Sequence, residues 1–90
     1  MGGGQAAVFR ETFKIGGITF WLMLDPGPGW TRFYLSATAP EGARGRHGVR
    51  GEREWTTNGK IAGPSYEARA VARRRAIRAV ARWSSAREAG

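Results

Sequence analysis

Between Glu67 and Trp83 the chain reads EARAVARRRAIRAVARW, six arginines in seventeen residues. A guanidinium is a planar fork of donors that binds phosphate or carboxylate two bonds at a time. Arg74, Arg78 and Arg82 recur at i, i+4 and i+8, so a helix would carry them as one ridge with Arg75 beside them. Such a ridge could follow a phosphate backbone; it is also what an ordinary solvent-facing helix surface looks like. A second cationic set, Arg44, Arg46, His47 and Arg50, lies in TAPEGARGRHGVRGE, residues 38–52. A third is interleaved with rings: Arg10, Lys14, Trp21, Trp30, Arg32 and Tyr34. Aromatic rings stack on nucleobases while cations meet phosphates or base edges, so this third set has the chemistry of a nucleic-acid surface.

Catalytic chemistry is thinly provided. The chain has one histidine, one aspartate and no cysteine. His47 with Glu52 and Glu54 nearby is the best acid–base set on offer, but a solvated loop histidine is the better account of it. One histidine without cysteine or clustered carboxylates does not make a metal site. The glycines of 42–51 lack the Gly-Lys-Ser/Thr that opens the helix of a phosphate-binding loop. We therefore expect no enzyme, no metal and no cofactor.

The formal charge of the 90 residues is +8, and it is unevenly spread. Residues 65–90 hold seven basic and two acidic groups, net +5; residues 1–38 hold three and two, net +1. A small domain this basic is drawn to polyanions, whether nucleic acid, anionic lipid or an acidic protein surface. GC-rich codons would explain why thirteen cations are arginine and only two lysine, but not why cations outnumber anions. The longest apolar run, Phe20–Leu24, is far below the roughly 18 residues of a membrane helix. The opening MGGGQA lacks the basic and apolar regions of a signal peptide, so residues 1–7 read as a flexible leader and the protein as cytoplasmic.

Residues 8–88 read as one small domain, and its elements must position the three cationic sets. Val8–Ile15 and Ile18–Leu24 alternate around Gly16-Gly17, the mark of a tight hairpin. Pro26-Gly-Pro-Gly29 must turn, and Trp30–Ala37 returns as a third strand. Setting Ile15 opposite Ile18, and Asp25 opposite Trp30, gathers one apolar face. It comprises Phe9, Phe13, Ile15, Ile18, Phe20, Leu22, Leu24, Phe33 and Leu35. A slip of one residue would put Arg32 and Tyr34 in that core, so the pattern selects the faces. The opposite face then holds Arg10, Thr12, Lys14, Thr19, Trp21, Met23, Trp30, Arg32 and Tyr34. After the long loop at 38–52, Arg53–Thr57 reads as a further short strand, with Asn58-Gly59 as a type I′ turn.

Ser65 is positioned to cap a terminal helix, with Glu67 at its positive end. At 100° per residue, Tyr66, Ala68, Ala70, Ala72, Ala76, Ile77, Ala79, Val80 and Trp83 cover its apolar half. Two charges break the pattern: Arg73 on that half, and Glu11 on the apolar face of the first strand. Each would be costly to bury alone, so we expect them to pair. The expected fold is α+β: an antiparallel sheet of three or four strands, with one long C-terminal helix across one face.

Three strands followed by a helix resemble two DNA-binding families, the plant ethylene-response-factor domains and the arm-binding N-terminal domains of phage tyrosine integrases. Gly48-Val-Arg50 with Trp55 is similar to the plant signature, although here it precedes the helix. Gly63, Ser65-Tyr-Glu-Ala-Arg69 and Ala72 are similar to the start of the last helix in double-stranded RNA-binding domains. The resemblance implies a major groove read by the sheet face through Arg10, Trp21, Arg32 and Tyr34. Two functions follow as expectations. The first is a non-enzymatic module that binds DNA or RNA through the aromatic–basic face, assisted by the loop and helix arginines. The second is a protein-interaction module, such as a small phage-type inhibitor or accessory factor, homodimeric or docked on an acidic partner through the same face.

Overall fold

The structure, a computed structural model, describes residues 8–40 and 54–89. Its strands are β1 (Phe9–Ile15), β2 (Ile18–Gly27), β3 (Trp30–Thr38) and β4 (Glu54–Ala62), followed by helix α1 (Ser65–Ala89). The strands form one antiparallel sheet in the order β1-β2-β3-β4, and α1 lies across one of its faces. The leader and most of the 38–52 loop lie outside the described residues; Thr38 ends β3, and Ala39 is fully buried.

The first hairpin has the expected register. Ile15 faces Ile18, Phe13 faces Phe20 and Phe9 faces Leu24. Gly16 and Gly17 both have positive φ, 58° and 81°, as a two-residue I′ turn demands. The second hairpin is two residues tighter than expected. Gly27, not Asp25, faces Trp30, so Leu22 opposes Leu35 and Phe20 opposes Ala37. Pro26 and Gly27 continue β2, and only Pro28-Gly29 turns. Proline is tolerated there because β1 ends opposite Leu24, leaving Pro26 beyond its last rung. A slide of two keeps every side chain on its own face, so the predicted faces survive the wrong partners.

β4 corrects a second expectation. Asn58-Gly59 is not a turn; it lies in the middle of a nine-residue strand paired with β3 from Trp30–Ala62 to Thr38–Glu54. Gly59 is needed for a different reason. It sits opposite Phe33, and a Cβ there would come within 2.8 Å of the Phe33 ring. Trp55 and Ile61 therefore share the helix-facing side of one strand with Gly59.

The core lies between sheet and helix. Phe20, Phe33, Leu24 and Leu35 are fully buried, each contributing about 1.5–3 kcal/mol. Phe20 stacks on Phe13 at 5.4 Å and on Trp83 at 6.4 Å, and meets the edge of Trp55 at 5.9 Å. From α1 come Ala68, Ala72, Ala76 and Ala79, all fully buried, a methyl ridge that lets the helix backbone approach the sheet closely. The contact is a strip and not the predicted half. Tyr66 and Ile77 are exposed, because both lie more than 100° round the helix from the middle of the ridge. Phe9 is also half-exposed, at the start of an edge strand.

Arginines flank the ridge on both sides. Toward β1, Arg69 grips Glu11 with two bonds, Nε to Oε1 at 2.7 Å and Nη2 to Oε2 at 2.6 Å. Arg73 adds a longer contact to Glu11 at 3.4 Å and lies 4.5 Å over the Phe13 ring. The expected Glu11–Arg73 pair therefore exists, but Arg69 is the closer partner. Toward β4, Arg75 donates to the Thr57 hydroxyl at 2.8 Å and the Asn58 carbonyl at 3.1 Å, and covers Phe33 at 5.1 Å. The helix start is tied down as well. Gly63 N–H donates to the Gly29 carbonyl at 2.9 Å, and the buried Thr31 hydroxyl donates to the Gly63 carbonyl at 3.4 Å. The Ser65 hydroxyl faces that of Thr31 at 3.5 Å, and Glu67 N–H bonds Pro64 in the first turn.

Two outcomes follow. Gly59→Ala should destabilise the fold by about 1–3 kcal/mol through overpacking against Phe33, measured by denaturant unfolding. The Arg69 hydrogen bonds hold the Glu11 carboxyl below the ordinary glutamate range, against an opposing desolvation. A depressed carboxylate stabilises the fold above the unfolded pKa, about 4.3, and loses that contribution as pH falls through the folded value. Glu11→Gln should lower Tm at neutral pH and flatten the acid side of the Tm–pH curve.

Candidate functional site

With α1 on one side, the other side of the sheet is left to the alternate residues of four strands. Its rows follow from the pairing. Arg10, Met23, Tyr34 and Asn58 lie side by side, and next to them run Thr12, Trp21, Ser36 and Thr56. On the other flank Asp25, Arg32 and Lys60 are adjacent, then Gly27, Trp30 and Ala62. Lys14, opposite Thr19, lies toward the far end of β1.

The two central rows line an open groove of about 630 Å³. Trp21 is 50% exposed in it and Tyr34 38%. Around them stand a hydroxyl or amide at Thr12, Ser36, Thr56 and Asn58, a thioether at Met23 and a guanidinium at Arg10. Trp30 is placed differently. Its ring lies against Gly27, where a Cβ would come within 2.2 Å of it, and the Lys60 ammonium is 4.5 Å from its centroid. That indole is already engaged, so among the described residues of this face the open rings are Trp21 and Tyr34. Arg32 lies opposite Asp25 in the β2–β3 register.

The structure therefore brings Arg10, Lys14, Trp21, Trp30, Arg32 and Tyr34 onto one face. The helix cations are on the other side of the sheet and divide in two. Arg74, Arg78 and Arg82 are exposed, whereas Arg75 leaves the expected ridge to hold β4. Arg44, Arg46, His47 and Arg50 lie outside the described residues, as does the His47–Glu52 part of the acid–base set. Four further residues of the face escaped sequence reasoning: Ser36, Thr56, Asn58 and Lys60. The signal was present, since Trp55 and Ile61 are six apart and an uninterrupted strand puts both inward. Reading Asn58-Gly59 as a turn concealed it. No helix among the described residues is long and apolar enough to cross a membrane.

No protein-family model, curated protein or solved structure matches this chain.

The unequal exposure of the tryptophans can be measured directly. Trp55 and Trp83 are buried and Trp30 is half-buried, so Trp21→Phe should remove the most acrylamide-accessible part of the fluorescence. Unchanged quenching would mean that another surface covers Trp21.

Proposed function

We propose that the chain is a non-enzymatic nucleic-acid-binding module whose ligand lies on the outer face of the sheet, assisted by the loop and helix arginines. The observation that carries this reading is the groove. Trp21 and Tyr34 stand in solvent beside Arg10 and among four hydroxyl or amide side chains. Fully burying a large apolar side chain is worth about 1.5–3 kcal/mol, so an exposed tryptophan on an unpartnered face calls for something to cover it. The cover must suit cations. Arg10, Lys14, Arg32 and Lys60 outnumber Asp25 and Glu54 on this face, and the chain carries +8. Bases supply flat apolar surface and phosphates supply the negative charge.

Trp21, Met23 and Tyr34 also form a contiguous apolar centre with polar neighbours, which favours a second reading. In it the same face docks on a second copy of the chain or on an acidic protein, as an inhibitor or accessory factor would. Two copies of a basic face repel, which ranks the homodimer form of this reading second.

Salt dependence tests the proposal. Affinity for fluorescein-labelled DNA and RNA should fall linearly on a log–log salt plot. The Arg32→Gln, Lys60→Gln double variant should flatten the slope by roughly 0.7–0.9 for each phosphate that is no longer neutralised. Arg74→Gln, Arg78→Gln and Arg82→Gln together report whether the helix ridge contributes. Failure to bind any polyanion near physiological salt, with a dimeric mass by light scattering, would replace this reading by the second.

A further inference from the structure

We infer that the ligand of the sheet face is single-stranded nucleic acid, its successive bases stacked on Trp21 and Tyr34. The inference rests on the nucleic-acid reading above and narrows it.

Width is the first argument. The major groove of B-DNA is about 12 Å wide and admits a helix or a two-stranded ribbon. Four strands at about 4.8 Å spacing span about 14 Å between the outer strand axes, before any side chain is counted. A face this broad does not fit an undeformed major groove. An undeformed duplex would meet it first along the phosphate ridges, where Trp21 and Tyr34 have nothing to stack on.

Spacing is the second argument. Trp21 pairs with Ser36 and Tyr34 with Met23, so the two rings are diagonal neighbours across β2 and β3. Such positions are about 7–8 Å apart. Bases in a duplex strand repeat about every 3.4 Å with their faces closed against each other. Bases held by two platforms at twice that spacing must be unstacked, a state natural to a single strand and costly for a duplex.

The groove chemistry is the third argument. Asn58 lies beside Tyr34, and Ser36 beside Trp21, on neighbouring strands. The amide beside one ring and the hydroxyl beside the other can meet the Watson–Crick edges of stacked bases. Pairing hides that edge in a duplex. Arg10 stands at the β1 side of the same row, where the backbone of a strand crossing the sheet would pass.

The test uses the full chain and four labelled probes at one salt concentration: oligo-dT, oligo-U, and blunt DNA and RNA duplexes of equal length. At least one single strand should bind tenfold or more tightly than either duplex and should quench tryptophan fluorescence, and the tighter of the two identifies the polymer. Trp21→Ala and Tyr34→Ala should each weaken that strand roughly five- to a hundred-fold. Trp21→Phe should keep most of the affinity, since phenylalanine still offers a ring. An unchanged Tm in each variant shows that a weakened affinity is not unfolding. A duplex bound as tightly as the single strands overturns the inference and leaves the nucleic-acid reading standing. Undiminished single-strand binding by Trp21→Ala overturns the stacking. Failure of all four probes overturns both.

Discussion

The close seat of an alanine ridge on the sheet is the constraint on which the rest of this molecule depends. Ala68, Ala72, Ala76 and Ala79 present only methyl groups, so the backbone of α1 comes near the sheet along a narrow line. A ridge of leucines would hold the helix further off and would itself supply the core. Here Phe20, Phe33, Leu24 and Leu35 rise from the strands, and Trp83 closes one end. The consequence is electrostatic as much as steric. Arginines just beside the ridge are close enough to reach the edge strands.

Three arginines are used in that way. Arg69 and Arg73 converge on Glu11 in β1, and Arg75 holds Thr57 and Asn58 in β4. Each flank also covers an aromatic ring, Phe13 on one side and Phe33 on the other. An edge strand is otherwise the least anchored part of a sheet. The arginine-rich helix is thus partly a structural fastening, and Arg74, Arg78 and Arg82 are the members of its central run that remain exposed. Because the helix occupies one face, the aromatic residues left over by alternation are carried together onto the other.

Much of this was legible from alternation. Period-two patterning assigned Phe13, Phe20, Leu22, Leu24, Phe33 and Leu35 inward and Trp21, Arg32 and Tyr34 outward, and the structure agrees on every one. Parity explains why. A register error of two residues changes every partner in the second hairpin and moves no side chain to the other face. The misplaced features depend on contacts made by distant residues. Asn58-Gly59 has the composition of a turn, but Phe33 of the neighbouring strand requires the glycine for clearance. Tyr66 and Ile77 belong to an apolar arc at 100° per residue, but a sheet meeting an alanine ridge covers only a strip of that arc.

The sequence by itself determined the class of fold, the two faces of the first three strands, the charge of the molecule and the unlikeness of Glu11 and Arg73 to their neighbours. All of these rest on local properties: the period of a strand, the pitch of a helix, the sum of ionised groups. Only the tertiary structure decided which rings are free and which cations are occupied. Trp30 and Trp21 look alike in sequence, yet one lies on Gly27 beneath Lys60 and the other stands open in the groove. Arg75 and Arg74 are adjacent, yet one fastens a strand and the other faces solvent. The difference lies in what approaches from elsewhere in the chain, and long-range proximity leaves no mark in local spacing.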